Sequence, residues 1–211
     1  MDERRGRRLL QFAREPRPGT VKTRMLPALT AAQACALHVA LLEHTAHRLA
    51  LVKRCARELW VEGDPGHPLF RRLCVRGAPA LHRQRGADLG ERMHHALEEA
   101  LRRGRCAVLV GSDCPALDAR YVEAAFTALA GADVVLGPAL DGGYVLVGLR
   151  RPAPFLFEDV PWGTDAVLAT TLRRAASRGC EPVLLPALQD IDGPEDLPAW
   201  RAESDGTASR N

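Results

Sequence analysis

Between positions 14 and 24 the chain places four cations, Arg14, Arg17, Lys22 and Arg24, on a segment that also holds Pro16, Pro18 and Gly19. The prolines preset φ and lower the entropy of ordering the loop, and Gly19 lets backbone approach a ligand closely. Such a loop suits a polyphosphate, with Lys22 as a point charge and Arg14 and Arg24 as bidentate forks. Neither GxGxxG nor GxxxxGK[ST] occurs, so the cradle is neither a dinucleotide fingerprint nor a Walker loop. A solvated basic loop is the competing reading.

The acids come later. Gly111-Ser112-Asp113-Cys114-Pro115 follows the most apolar short run of the chain. A carboxylate ending a buried strand is placed to hold a hard divalent cation, since Mg²⁺ commonly takes one or two carboxylates plus substrate phosphate oxygens. Helix capping is the alternative role for Asp113, although Pro115 and Asp118 already serve the next helix. In Asp190-Ile191-Asp192 the two acids alternate and share a face if the segment is extended. Asp192 also precedes Gly193-Pro194, a helix-start pattern. Asp141-Gly142-Gly143-Tyr144 reads as a hairpin turn or as backbone passing close to a substrate. Trp162, in Pro161-Trp162-Gly163-Thr164, could stack on a base or acceptor, or plug the edge of a sheet.

Elements must bring these residues together. Continuous apolar runs at 8–13 and 106–111 predict strands buried on both faces. Weaker strands are expected at 58–62, 133–136, 144–149 and 182–185. Helical periodicity covers 30–51, 88–103, 118–130, 164–178 and 194–201, with Thr30 and Asp88 as caps. The stretch from 63 to 86 reads as loop, and 202–211 as a polar, frayed tail. This alternation predicts an α/β domain, a mostly parallel sheet covered by helices on both faces, with an antiparallel pair around Gly142-Gly143. Ligands of such sheets bind outside the carboxyl ends of the strands, which is where the cationic loop and Asp113 fall.

Composition narrows the classes. At 211 residues, 46% hydrophobic and 26% charged, the chain reads as one globular domain rather than a disordered one. Its net charge of +3 is too small and too evenly spread for a nucleic-acid footprint. Lysine is scarce, with only Lys22 and Lys53 among the 29 basic residues. The basic run Arg4-Arg5-x-Arg7-Arg8 reads as a solvated tail. Six cysteines lack CxxC or zinc-type spacing, which suggests reduced, packed thiols, Cys114 included. His38, His44 and His47 read as a partly exposed histidine face. No apolar run approaches the roughly 20 residues of a membrane span. A soluble, cytoplasmic protein without a membrane or nucleic-acid partner is expected, with a homodimer left open.

Six segments in order resemble one family: Pro18-Gly19-Thr20-Val21-Lys22-Thr23-Arg24-Met25, Gln84-Arg85-Gly86-Ala87-Asp88-Leu89-Gly90-Glu91-Arg92-Met93, Gly111-Ser112-Asp113-Cys114-Pro115, Gly137-Pro138-Ala139-Leu140-Asp141-Gly142-Gly143-Tyr144, Trp162-Gly163-Thr164 and Asp190-Ile191-Asp192. The chain resembles the glycosyltransferase-like family of arsenosugar-type gene neighbourhoods, related to 2-phospholactate guanylyltransferase and molybdenum-cofactor guanylyltransferase. The likeness spans about residues 8–200. It implies the glycosyltransferase type A fold, a Rossmann-like single-domain α/β sandwich that binds an activated nucleotide with Mg²⁺ or Mn²⁺. It also implies roles: Lys22 and Arg24 on the nucleotide phosphates and, with Asp113, in catalysis. Phe12, Ala13, Arg14, Gly19, Gln84, Gly86 and Asp88 would surround the nucleotide. Asp113 and Asp192, or Asp190, would ligate the metal. Asp141, Gly142, Gly143, Tyr144 and Trp162 would line the acceptor side. The chain departs from the family at Arg14 (usually Lys), Met25 (usually Leu) and Gly193 (usually Thr).

Two reactions fit this scaffold. One moves a nucleotidyl group from an NTP to a small phosphorylated acceptor and releases pyrophosphate. The other moves a sugar from a nucleotide-sugar donor, with Asp141 or Asp190 as the carboxylate base. A non-catalytic nucleotide-binding protein is a third reading, which the acids at 113, 190 and 192 oppose.

Overall fold

The computed structural model describes residues 6–26, 28–77 and 79–208, with backbone alone at 75–77 and 203–208. Arg4 and Arg5 of the basic run lie outside the described residues, as do 209–211 of the expected tail.

Seven strands form one sheet among the described residues: β1 (Arg7–Arg14), β2 (Ala56–Glu62), β3 (Ala80–Arg83), β4 (Cys106–Val110), β5 (Val134–Pro138), β6 (Tyr144–Leu149) and β7 (Val183–Leu184). Their order is β3-β2-β1-β4-β6-β5-β7. Only β6 runs against its neighbours, pairing antiparallel with β4 and β5. The helices are α1 (Ala31–Leu49), α2 (Pro68–Gly77), α3 (Leu89–Leu101), α4 (Ala119–Ala128), α5 (Val167–Ser177) and α6 (Leu197–Ala208).

The two-residue period of β1 explains the layers. Leu10 and Phe12 point to one face and pack with Met93, Ala96, Leu97 and Ala100 of α3 and Ala175 of α5. Leu9 and Ala13 point to the other, toward α1, α2 and α4. Both faces are buried, as continuous apolar runs require. The caps are local: the Thr30 side chain accepts from Gln33 N, Asp88 from Glu91 N and Asp118 from Tyr121 N.

Several expectations need correction. The stretch read as loop from 63 to 86 contains α2 and β3. Pro68 at the first helical position and Leu69, Phe70 and Leu73 at helical spacing were the available signal for α2. The four-residue, largely exposed edge strand β3 left no such signal. The expected frayed tail is instead helical through Ala208. Arg7 and Arg8 are not in a tail: they lie on β1, paired with Glu123 and Glu58. The histidine face is partly exposed at His44 and His47, with His44 bonding the Pro115 carbonyl and packing edge-on against Trp200, but His38 is buried.

Candidate functional site

Between β1 and β4 the strand order reverses direction, with β2 and β3 to one side of β1 and β4 to the other. Such a switch point opens a crevice at the carboxyl ends of the strands. A cleft of about 360 Å³ lies there, walled by Phe12, Ala13 and Arg14, by Thr20 to Arg24, and by Gly111, Ser112 and Asp113. His38, Glu62, Gln84, Leu89 and Asp192 complete its walls. Its size falls in the usual range for small-ligand pockets. A tighter cavity of about 110 Å³ lies between α1, α2 and the sheet, and the charged pair at its rim, Arg72 and Glu43, is already satisfied.

Backbone ties hold the crevice open. Ser112, 6% exposed, donates its hydroxyl to Phe12 O (2.6 Å) and accepts from Gln11 Nε2 (3.0 Å). The end of β4 is thereby pinned to the end of β1. His38 Nε2 meets Arg14 O at 3.0 Å and anchors the start of the cationic loop to α1. Gln84 donates to Ala13 O and Trp60 O, bridging the ends of β1 and β2.

The acids converge through Ile191. Its N–H donates to Asp113 O at 2.8 Å, and its side chain is fully buried with Met25, Ala34, Leu37 and Leu41. Ile191 thus sets the 190–192 segment beside the end of β4 and the cationic loop beneath it. Lys22 Nζ lies 3.1 Å from Asp113 Oδ1 and 4.0 Å from Asp192 Oδ1, and donates to the Ile191 carbonyl. Arg24 pairs with Asp192 and donates to Gly163 O at 3.0 Å. Lys22 reaches inward from a left-handed backbone (φ 50°), a conformation that non-glycine residues hold only under constraint.

The capping alternatives resolve locally. Asp118 caps α4, so Asp113 does not serve as its cap. Asp196 reaches back to accept from Asp192 N (2.9 Å) and Gly193 N (2.8 Å), so the Asp192 carboxylate faces the cleft. Asp113 Oδ1 is shielded from solvent and, although near Lys22, lacks an aligned hydrogen bond. Two carboxylates aimed at one cation position suit an ion that takes its remaining ligands from substrate phosphates and water. Among the described residues no cluster of three or more His, Cys, Asp or Glu forms a protein-only metal cage.

The other expected residues divide. Arg14 lines the cleft but is paired with Glu62 at 2.8 Å, and Arg92 holds the same carboxylate. Gly19, Gly86 and Asp88 do not line it, and Asp88 spends one oxygen on capping α3. Gly86 is a turn glycine (φ +141°), where a Cβ would sit 2.7 Å from Arg92 N. Asp190 faces Asp141, not the cleft. Burial first, and Asp141 next, push its carboxyl up to about 6. Gly142 is required by packing: a Cβ there would lie 2.2 Å from the Asp165 carbonyl oxygen. Trp162 packs edge-on with Tyr144 and over Gly90. Tyr144 has a buried hydroxyl, and burial drives its pKa up. Cys114 is the packed thiol expected: it donates to Gln189 O, and burial pushes it up to about 12.

Ile191, Ser112, Gln11, His38, Glu62 and Arg92 were missed from sequence. Gln11 was the most legible of them, a lone amide inside an apolar strand.

The chain matches the DUF2064 family, described as an uncharacterized protein conserved in bacteria, over residues 45–164. A 3-phospho-D-glycerate guanylyltransferase of Phenylobacterium zucineum (strain HLK1) is 32% identical over 182 residues, covering 83% of this chain and 81% of the relative. A solved structure from Desulfovibrio desulfuricans G20, provisionally assigned as a nucleotide-diphospho-sugar transferase, is 30% identical with a TM-score of 0.80, covering 92% of this chain and 84% of that one. The 4-diphosphocytidyl-2C-methyl-D-erythritol synthase of Anaerococcus prevotii DSM 20548 superposes at TM-score 0.64 over 97% of this chain and 98% of that one. At 10% identity that likeness is one of fold.

Proposed function

The chain belongs to the DUF2064 family, and from that membership and the geometry of the cleft we propose a metal-dependent nucleotidyltransferase that moves a nucleotidyl group from an NTP to a small phosphorylated acceptor. The observation that carries it is the meeting of Asp113, Asp192, Lys22 and Arg24 at the switch-point cleft. The name of the Phenylobacterium relative, a 3-phospho-D-glycerate guanylyltransferase, supports GTP as the donor and a phosphorylated small acid as the acceptor.

Asp113 and Asp192 would hold Mg²⁺ or Mn²⁺, and the donor set of two carboxylates fits such an ion. When bound, the ion neutralises charge on the triphosphate oxygens. The chain's own residues do the rest. Arg24, with its side chain 60% exposed, is positioned to meet phosphate oxygens. The ties from Ser112 and His38 hold the cleft rigid, so that the bound α-phosphorus stays in line with its attacker. An acceptor phosphate oxygen attacks the α-phosphorus, the bond to the bridging oxygen of the β-phosphate breaks, and pyrophosphate leaves with the electron pair. A phosphate monoester is largely dianionic near neutral pH, so this attack needs no side-chain base.

Glycosyl transfer has one observation in its favour: the Desulfovibrio relative's assignment. A single assay separates the two. Purified protein with Mg²⁺, a panel of NTPs and phosphorylated acids should release pyrophosphate, and Asp113→Asn should lose at least about 10²-fold of that rate. Full turnover in Asp113→Asn would overturn the proposal. Release of free nucleoside diphosphate from a sugar nucleotide, with no pyrophosphate from any NTP, would favour glycosyl transfer.

A further inference from the structure

Lys22 lines the cleft, but its ammonium is turned inward. Its side chain is only 4% exposed, and its ammonium lies against Asp113, Asp192 and the Ile191 carbonyl. That is the position a divalent cation held by the same two carboxylates would need. We propose that Lys22 is a resident counter-ion that must leave this seat when the metal enters, a latch that makes the two ends of the cleft depend on each other. The inference rests on the reading of Asp113 and Asp192 as metal ligands.

Three observations support the latch. The two acids have an internal cation, so they tolerate close approach without metal. An ammonium and a divalent ion cannot share one pair of carboxylates, because like charges at such short range repel strongly in a shielded site. Lys22 also holds a left-handed backbone at φ 50°, a conformation that its inward contacts maintain and its release would relax. Entry of the metal therefore frees Lys22 to swing into the cleft. There it can meet a phosphate as a point charge. Arg24 also pairs with Asp192, but its side chain is already 60% exposed and is not shut in as Lys22 is. Binding at the acids and binding of the triphosphate then favour each other, and such coupling must be reciprocal.

The scarcity of lysine makes this testable on the unaltered protein, because Lys53 is the only other lysine and is exposed. Lysine acetylation is followed by mass spectrometry, with Lys53 as internal reference and Mg²⁺ as the only added ligand. Lys22 should be protected without Mg²⁺ and react about tenfold faster with it, a change within the usual range for coupled sites. In parallel, Mn²⁺ affinity is measured by electron paramagnetic resonance without nucleotide. Lys22→Gln, which keeps a donor for the Ile191 carbonyl but no charge, should bind Mn²⁺ about tenfold more tightly than wild type. A merely structural lysine would do the reverse. Asp113→Asn should lose Mn²⁺ binding and the Mg²⁺ effect on Lys22 together. If Mn²⁺ binds the wild type while Lys22 stays protected, the latch is wrong and the metal site stands. If Mn²⁺ does not bind, or Asp113→Asn binds it as well as wild type, the metal assignment falls and the latch with it.

Discussion

Glu62 shows how a residue outside every motif shapes the site. It ends β2 on the cleft wall, with Arg14 and Arg92 on its two oxygens. Burial raises its carboxyl, but the hydrogen bonds and charges of Arg14 and then Arg92 outweigh burial and hold it below the usual carboxylate range. An acid depressed in the folded state contributes stability above its unfolded pKa, and that contribution is lost as pH falls through the folded value. Because these groups are substantially solvated, the contribution is no more than about 1 kcal/mol. Glu62→Gln should therefore lower the melting temperature by a few degrees (about 2–4 °C per kcal/mol) near neutral pH, with the difference shrinking as pH falls below the usual carboxylate range. Melting curves across that range check the sign, and a deficit that grows on acidification would contradict it. Arg14, expected on phosphate, shares its guanidinium with Glu62, while Arg24 shares its own with Asp192.

At the scale of elements, short irregular segments do the positioning. The 3-10 turn Thr23–Met25, the 190–192 segment and α1 share one small core through Met25, Ile191, Leu37 and Leu41. Two segments 168 residues apart thus present Arg24 to Asp192. Ile191→Ala should cost about 3 kcal/mol of stability, through lost transfer energy plus a cavity. Assayed below its melting point, the variant should also lose about 10²-fold in pyrophosphate release, because small displacements of reacting groups are costly. Urea denaturation and turnover of the same preparation test both. Wild-type turnover in a destabilised variant would show that Ile191 only packs. The caps were legible beforehand, because a cap answers to the unsatisfied N–H groups of its own first turn. Helix α2 was overlooked despite its signal. Strand β3 had no signal, because its pairing with β2 comes from the sheet and not from its own pattern.

For the whole molecule, stability and chemistry sit at different places on the sheet. Near the amino end of β2, Glu58 is almost fully buried and accepts from Trp60 Nε1 (2.9 Å) and Arg103 NH2 (3.1 Å), with Arg8 and His82 close by. Glu58→Ala would strip that network of its anion and should cost about 3 kcal/mol. Since Glu58 lies away from the carboxyl ends of the strands, the folded fraction should turn over normally, as urea midpoints and rates per folded molecule would show. A folded variant with lost turnover would contradict this division. The division follows from the strand order, which reverses beside β1 and opens its crevice only at the far end.

By itself the sequence determined what local physics decides. Paired apolar faces made β1 and β4 buried strands, helical periodicity and caps placed five of the six α-helices among the described residues, and residue chemistry marked Asp113, Asp192, Lys22 and Arg24 as acids and cations worth bringing together. Only the tertiary structure decided which meets which. The partners lie far apart in the chain, and no spacing encodes a contact made across a sheet whose strand order is set by the packing of all its layers. The inward turn of Lys22 belongs to that second class, because it depends on a buried isoleucine and two carboxylates contributed by the opposite half of the chain.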